Sequence, residues 1–319
     1  MNSDETPRNV HVLATFPEAM LARVVDEVPG ATVAQVSGDA PPPAGTRGEV
    51  LLIPPWDPGN LKQLLACGVR WLHTIGTGVD RLPLDQLGAI SLTCSRGASA
   101  VPISEWILAA MLAHEKQMPQ TWLATAPPKP EYPRLGTLHG RTLGLIGLGS
   151  IGEATARHAH SFGMRVVALR RTGKPSGVAG VEVVREIAEL LAAADHIVLA
   201  LPLTPASRHI INADSLAAIP AGAGVHLINI SRGALVDQEA LRPALEDGRI
   251  ACATLDVTEP EPPPAGHWLY AHDRVRVSAH VSWSAPNAFE LLLDTFIANL
   301  KRYQAGATLE GVVNIKEGY

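Results

Sequence analysis

Thr142-Leu143-Gly144-Leu145-Ile146-Gly147-Leu148-Gly149-Ser150-Ile151-Gly152 runs an apolar segment into a glycine turn, and a helical pattern, Glu153 to Phe162, follows directly. Strand, Gly-x-Gly-x-x-Gly, then helix is the order a dinucleotide-binding turn requires. In that reading Gly147 makes the tight turn. Gly149 lets the backbone approach a pyrophosphate, and Gly152 lets the helix lie close to the strand. The helix opening at Ser150-Ile151 offers unpaired N–H groups and its positive dipole end to phosphates. The competing reading is a structural glycine turn; the strand before and the helix after favour the cofactor.

Outward from this turn, both directions alternate apolar runs with helical patterns. Before it, strands are predicted at Val10–Thr15, Ala31–Val36, Val50–Ile53, Arg70–Ile75 and Ile90–Cys94, with helices at Pro17–Glu27 and Pro58–Ala66. After it, strands are predicted at Arg165–Leu169, His196–Leu201, Val225–Ile230, Ile250–Leu255 and Val275–Ser278. Helices are predicted at Ile187–Ala194 and Gln238–Asp247. Such alternation implies parallel strands joined by crossover helices. A strongly apolar helix, Ser104–Gln117, follows Pro102 and is expected to pass between domains. The stretch Thr121 to His139, with Pro127, Pro128, Pro130 and Pro133, is an irregular excursion, and loops of this length usually carry a function. The last helix, Ala285–Gln304, is expected to return to the first domain. The expected fold is therefore α/β, with two doubly wound parallel-sheet domains. A Rossmann domain at 104–285 is inserted into a flavodoxin-like domain formed by 1–103 and 286–319.

Composition sets outer bounds. The chain of 319 residues is 46% hydrophobic, enough for two cores, and its net charge of −5 includes no long run of one sign. Nucleic acid and anionic membrane are thus not expected as partners. Met1 to Asn9 is polar and lacks the apolar core of a signal peptide. No apolar stretch is long enough to span a bilayer. Cys67, Cys94 and Cys252 are scattered, which reads as buried thiols in a reducing cytoplasm and not as a disulfide frame or zinc site. No metal ligand set is expected; His158 and His160, two apart on a helix, face different ways.

Ligands of a doubly wound sheet gather at the carboxyl ends of its strands. Leu201-Pro202-Leu203-Thr204, Ile230-Ser231-Arg232-Gly233, Asp256 and Ala279-His280 all fall there. A guanidinium at Arg232 can grip a carboxylate through two parallel hydrogen bonds; a surface arginine in a turn is the alternative. His280 is one of 12 histidines, so on spacing alone a structural role remains open. Glu261, within Glu259-Pro260-Glu261-Pro262-Pro263-Pro264, can equally be read as part of a stiff acidic loop. The turn Gly76-Thr77-Gly78 after a strand can cradle an anion with successive N–H groups, or be an ordinary tight turn.

Taken in order, these segments resemble the D-isomer-specific 2-hydroxyacid dehydrogenase family over nearly the whole chain. The resemblance rests on Gly147-Leu148-Gly149-Ser150-Ile151-Gly152, on Leu201-Pro202-Leu203-Thr204, and on Asn229 through Asp237. Leu255-Asp256-Val257, Glu261-Pro262 and His280 complete it. It implies Arg232, Glu261 and His280 as the catalytic Arg, Glu and His. It also implies that Gly76, Thr77 and Gly78 bind the substrate carboxylate, that Asp256 holds the nicotinamide carboxamide, and that the active site lies in a cleft between the domains. By the same resemblance the glycine turn, Leu201, Pro202, Thr204, Ile230, Ser231 and His280 contact the cofactor. A homodimer is implied, with Thr121–His139 in the contact. The chemistry agrees: a 2-oxo acid needs a hydride at C2 and a proton on its oxygen. Histidine titrates near neutrality, and a neighbouring carboxylate favours its charged form and fixes its ring.

Three departures bear on substrate identity. Ser278-Ala279 stands where Thr-Pro commonly precedes the histidine. Trp283 stands where small residues are commoner. His267-Trp268-Leu269-Tyr270 stands where Pro-Leu-Trp is usual. The expected function is hydride transfer between NAD(P)H and a small 2-oxo acid or D-2-hydroxy acid, with glyoxylate or hydroxypyruvate as substrate. The alternatives are a phosphoglycerate dehydrogenase-like enzyme and a catalytically silent NAD(H)-sensing corepressor. For the cofactor itself, NAD sites place Asp or Glu at the end of the second strand, about 20 residues beyond the glycines. Here Arg170-Arg171-Thr172 ends that strand. Two guanidiniums and a hydroxyl would hold a 2′-phosphate, so NADP(H) is the expected preference, with NAD(H) possible if the arginines are only surface charge.

Overall fold

The computed structural model describes residues 8–126, 128–129, 132–171 and 174–319. The chain divides into two compact units, Met1–Ala98 with Pro286–Tyr319, and Ser99–Ala285. The chain is α/β, with two sheets whose strands pair in parallel.

In the first unit the strands are β1 (Val10–Ala14), β2 (Ala31–Gln35), β3 (Val50–Ile53), β4 (Trp71–Thr74) and β5 (Ser91–Cys94), in the order β2-β1-β3-β4-β5. β3 and β4 are buried at every position, as strands covered on both faces must be. One cover is the helix Ala288–Gln304, which sets Leu293, Phe296, Ile297 and Leu300 against Val10, Val12, Leu52 and Trp71. Each such side chain contributes about 1.5–3 kcal/mol on burial.

That core also holds a histidine. His73 is fully buried on β4. Its Nδ1 lies 2.7 Å from Thr93 Oγ1 and its Nε2 3.1 Å from Ser95 Oγ, while Phe296 packs against the ring. Burial lowers its pKa from 6.5 to about 3. The unfolded chain therefore binds a proton between those values that the folded chain refuses, so stability is full above pH 6.5 and falls as pH drops toward 3. His73→Gln removes this dependence. The stability gap between wild type and variant, read from urea unfolding, is expected to narrow by about 2 kcal/mol between pH 7 and pH 5. An unchanged gap would show that His73 is not held neutral by burial.

In the second unit β6 (Thr142–Ile146), β7 (Arg165–Leu169), β8 (Val181–Val184), β9 (His196–Leu199), β10 (Val225–Asn229), β11 (Ile250–Leu255) and β12 (Val275–Val277) lie in the order β12-β11-β10-β9-β6-β7-β8. The edge strand β8 and the short helices Ala213–Ala217 and Trp268–Ala271 are additions to the sequence expectation. The strand expected at His196–Leu201 stops at Leu199, because Ala200 turns toward the glycine loop. Pro102 does not precede its helix, which runs Ala100–Glu115. A proline is tolerated in a first turn, where its missing N–H would have had no partner. This helix packs Ile103, Ile107 and Met111 onto Leu143, Leu145, Ala156 and Ala159.

A buried polar line fastens the end of the same helix to the sheet. Glu115 Oε1 lies 3.1 Å from His196 Nε2, His196 Nδ1 lies 3.3 Å from His226 Nδ1, and His226 Nε2 lies 2.8 Å from Thr254 Oγ1. The bond to His196 holds the Glu115 carboxyl below its usual range, and burial pushes His226 well below the usual imidazole range. Among the described residues no group of three or more His, Cys, Asp or Glu is placed to hold a metal ion, and no helix is long and apolar enough to cross a membrane. Cys67, Cys94 and Cys252 are buried free thiols.

Candidate active site

The parallel order of the second sheet puts the ends of β7, β6, β9, β10, β11 and β12 in one row. The loops that leave those ends carry Arg170, Gly147, Leu201, Arg232, Asp256 and His280 in turn. Contacts tie these loops into a continuous rim.

The glycine turn comes first. Gly147 has φ +105, and a Cβ there would stand 2.4 Å from the carbonyl oxygen of Ala200, so only glycine fits beneath the β9 loop. At Gly149, by contrast, a Cβ would meet nothing within 4 Å. The backbone is bare on that side, and the helix Ser150–Ser161 starts immediately after it. Leu148 and Gly152 are buried, while Ser150 and Ile151 are half-buried at the first turn.

Register fixes the place of the arginine pair. Leu169 pairs with Ile146, so Arg170 stands level with Gly147 on the neighbouring strand. Its Nη1 donates to the carbonyls of Pro175 at 2.8 Å and Lys174 at 3.3 Å. Arg171 is exposed. Thr172, the third member of the expected set, lies outside the described residues.

On the other side of the turn, Ser231 Oγ donates to the carbonyl of Leu201, joining the β10 loop to the β9 loop. Pro202 is exposed and Thr204 half-buried, its N–H donating to Ser207 Oγ at 2.8 Å. Ile230 is buried. Buried Asn229 folds the β10 loop back on itself: its Oδ1 accepts from Ser231 N–H at 3.1 Å, and its Nδ2 donates to the carbonyl of Arg232 at 2.8 Å. Arg232 Nη1 donates to the carbonyl of Ser231 at 2.7 Å. The next residue must be glycine, because a Cβ on Gly233 would fall 2.0 Å from the backbone of Thr258. That close approach sets the Arg232 loop directly on the loop that carries Glu261.

The Glu261 loop is held from two further sides. Gln238 exchanges hydrogen bonds with the backbone of Glu259, donating to its carbonyl at 2.5 Å and accepting from its N–H at 3.2 Å. Arg208 grips the Glu259 carboxylate with two bonds, 3.0 and 2.9 Å. Glu261 Oε1 then lies 2.8 Å from His280 Nδ1. Both side chains are a little over one-third exposed, so the pair faces solvent while its base is fixed. A Nδ1–H donated to the carboxylate leaves Nε2 to exchange a proton with something else.

Gly76, Thr77 and Gly78 belong to the first unit, at the carboxyl end of β4. Gly76 has φ +145, its carbonyl accepts from Ser95 N–H at 2.8 Å, and Thr77 is exposed. Sequence reasoning did not single out Asn229, Gln238, Ser278 or Ser282. Asn229 lay inside the quoted motif and Ser278 was visible as a departure. Gln238 gave no local signal, since its partner is 21 residues away.

Residues 108–282 match the family model described as D-isomer specific 2-hydroxyacid dehydrogenase, NAD binding domain. The match covers more than half of the chain, and the chain belongs to this family. It is 34% identical over 247 residues to D-3-phosphoglycerate dehydrogenase of Methanocaldococcus jannaschii, covering 75% of this chain and 46% of that protein. It is 38% identical over 184 residues to glyoxylate reductase of Thermococcus onnurineus, covering 56% and 52%. The chain thus spans about half the length of these curated relatives. A crystal structure of a D-isomer specific 2-hydroxyacid dehydrogenase from Xanthobacter autotrophicus Py2, in complex with NADPH and MES, superposes with a TM-score of 0.84. It is 27% identical, over 98% of this chain and 100% of that one.

Proposed function

We propose that this chain is an NADPH-preferring reductase of small 2-oxo acids. In reverse it is a D-2-hydroxyacid dehydrogenase. The observation that carries the reading is the His280–Glu261 pair at 2.8 Å, on loops of the sheet that also presents Arg232. The relative named glyoxylate reductase supports the substrate class, and the NADPH complex of the Xanthobacter protein supports the cofactor.

The residues present fit a dinucleotide. Gly149 leaves its side of the turn open, and the first N–H groups of the helix at Ser150 and Ile151 have no partner within the helix. Leu201, Pro202, Thr204, Ile230 and Ser231 line the rim beside it. Bound there, a nicotinamide cofactor supplies the hydride. Arg232 binds the carboxylate of the oxo acid and polarises its carbonyl. Glu261 accepts the Nδ1–H of the His280 imidazolium and fixes the ring, so that Nε2–H delivers its proton to the carbonyl oxygen and leaves the neutral Nδ1–H tautomer behind. In this reading residues 104–285 form the cofactor domain. The segments 1–103 and 286–319 form the substrate domain, whose turn Gly76-Thr77-Gly78 also takes the carboxylate. In the same reading the protein works as a cytoplasmic homodimer with Thr121–His139 in the contact, a segment of which Pro127, Pro130 and Glu131 lie outside the described residues; exposed Trp122, Leu123 and Tyr132 support that surface.

A panel of glyoxylate, hydroxypyruvate and 3-phosphohydroxypyruvate with both cofactors tests the reading. Consumption of NADPH with glyoxylate or hydroxypyruvate is expected. Activity with the phosphorylated acid alone would favour the second reading, which the Methanocaldococcus relative supports. No turnover of any 2-oxo acid would reject both. Cofactor choice has its own test at Arg170, level with Gly147. Arg170→Asp removes one charge-assisted partner of a 2′-phosphate and adds repulsion, so kcat/KM with NADPH is expected to fall about 10- to 100-fold while NADH use rises. A wild-type enzyme that favours NADH would overturn the preference.

A further inference from the structure

His280 stands at φ +53, in the left-handed region. A residue other than glycine keeps such a backbone only where its surroundings over-determine it. Here those surroundings converge on one buried side chain. Asp256 is 1% exposed and follows β11. Its Oδ1 accepts from Ser278 Oγ at 2.6 Å and from Val281 N–H at 2.9 Å, and its Oδ2 accepts from Ser282 N–H at 2.9 Å. Its carbonyl accepts from His280 N–H, also at 2.9 Å. On the far side, Trp283 Nε1 donates to the carbonyl of His280 at 2.9 Å. Donors before and after the histidine are thus gathered onto one carboxylate, and the histidine's own N–H and C=O are each tied.

We propose that Asp256, assisted by Ser278 and Trp283, is a positioning residue for His280: its carboxylate clasps the 278–282 loop and sets the imidazole against Glu261. The proposal rests on the reading of His280 as proton donor. It assigns Asp256 a task beyond the contact with the nicotinamide carboxamide that the family resemblance implies. A carboxylate offers about four acceptor positions, and the loop occupies three of them. Ser278 acquires a role too, since its hydroxyl is the shortest of the three bonds. Threonine there preserves that bond, whereas alanine cannot.

Asp256→Asn turns an NH2 group against one of the loop's N–H donors. With saturating NADPH and glyoxylate, kcat is expected to fall on the order of a hundredfold, as for a misplaced catalytic group. Ser278→Ala is expected to lose about tenfold in kcat, and Ser278→Thr to restore it. A readout independent of turnover is the imidazole 15N NMR signature of His280. It should show a single Nδ1–H tautomer in the wild type and tautomer averaging in Asp256→Asn. If the wild type reduces no oxo acid, the functional reading fails while the NMR comparison still decides the positioning. Should Asp256→Asn not fold, the Ser278 pair decides it. A raised cofactor Kd with unchanged kcat, an unaltered His280 signature, or full activity in Ser278→Ala would each overturn the proposal.

Discussion

If His280 is the proton donor proposed above, His280→Ala is expected to lower kcat for 2-oxo acid reduction by about a thousandfold and to leave NADPH affinity within a factor of about two. The size follows from what is lost. On that reading the variant loses its positioned proton donor, and water cannot match an imidazole held by a carboxylate at 2.8 Å. The cofactor constant stays, because the glycine turn and the helix behind it lie on β6, separated from β12 by β9, β10 and β11. Glu261→Gln costs less, because the ring remains while the group selecting its tautomer weakens; a loss of about ten- to thirtyfold in kcat is expected. Steady-state rates at saturating NADPH, with cofactor binding followed separately by fluorescence, check both. Near-normal kcat in His280→Ala would remove the histidine from the reaction. Equal losses in kcat and cofactor affinity would mean that the loop had collapsed.

How much of this was legible beforehand varies with the range of the interactions involved. The two parallel sheets were readable because strands buried on both faces leave uninterrupted apolar runs, such as Val50-Leu51-Leu52-Ile53 and Ile197-Val198-Leu199. β8 was not, because Val181-Glu182-Val183-Val184 is a half-exposed edge strand in which only Val184 is fully buried. The helix Ala213–Ala217 has five residues, too few for a periodic pattern, and its only mark is the reciprocal cap between Asn212 and Ser215. Among the candidate site residues, those that fall at strand ends could be located, since a strand end is a local feature. What joins them could not. The closeness of Gly233 to the backbone of Thr258, the grip of Arg208 on Glu259 and the clasp of Asp256 on Ser278, Val281 and Ser282 link positions 22 to 51 residues apart. No spacing rule carries that information. The sequence did show Ser278 and Trp283 as departures from the family pattern. Only the hydrogen bonds show that Ser278 donates to the Asp256 carboxylate and that Trp283 donates to the carbonyl of His280.

Arg232→Lys is expected to reduce kcat/KM for the oxo acid by about two to three orders of magnitude, with cofactor binding preserved. The charge is kept, so the loss measures geometry. Arg232 leaves the sheet in extended backbone, with its carbonyl pinned by Asn229 and Gly233 pressed flat on the Glu261 loop, so the root of the side chain cannot shift to compensate. A guanidinium carries five N–H donors in a planar fork. It can keep its bond to the Ser231 carbonyl and still meet a carboxylate with two parallel bonds. An ammonium on a shorter stem has one point of contact, and satisfying the Ser231 carbonyl draws it away from the substrate. Each charge-assisted bond forfeited is worth about 1.5–3 kcal/mol. Misorientation of the carbonyl toward the hydride and toward His280 adds to that. The split between constants carries the diagnosis. If Arg232 only recruits the substrate, KM rises and kcat holds; if it also polarises the carbonyl, kcat falls as well, and the combined loss is the one expected. Comparable kcat/KM in Arg232→Lys would mean that the contact is a point charge, and would move carboxylate recognition to the turn Gly76-Thr77-Gly78, where Gly76→Ala would then be the damaging substitution.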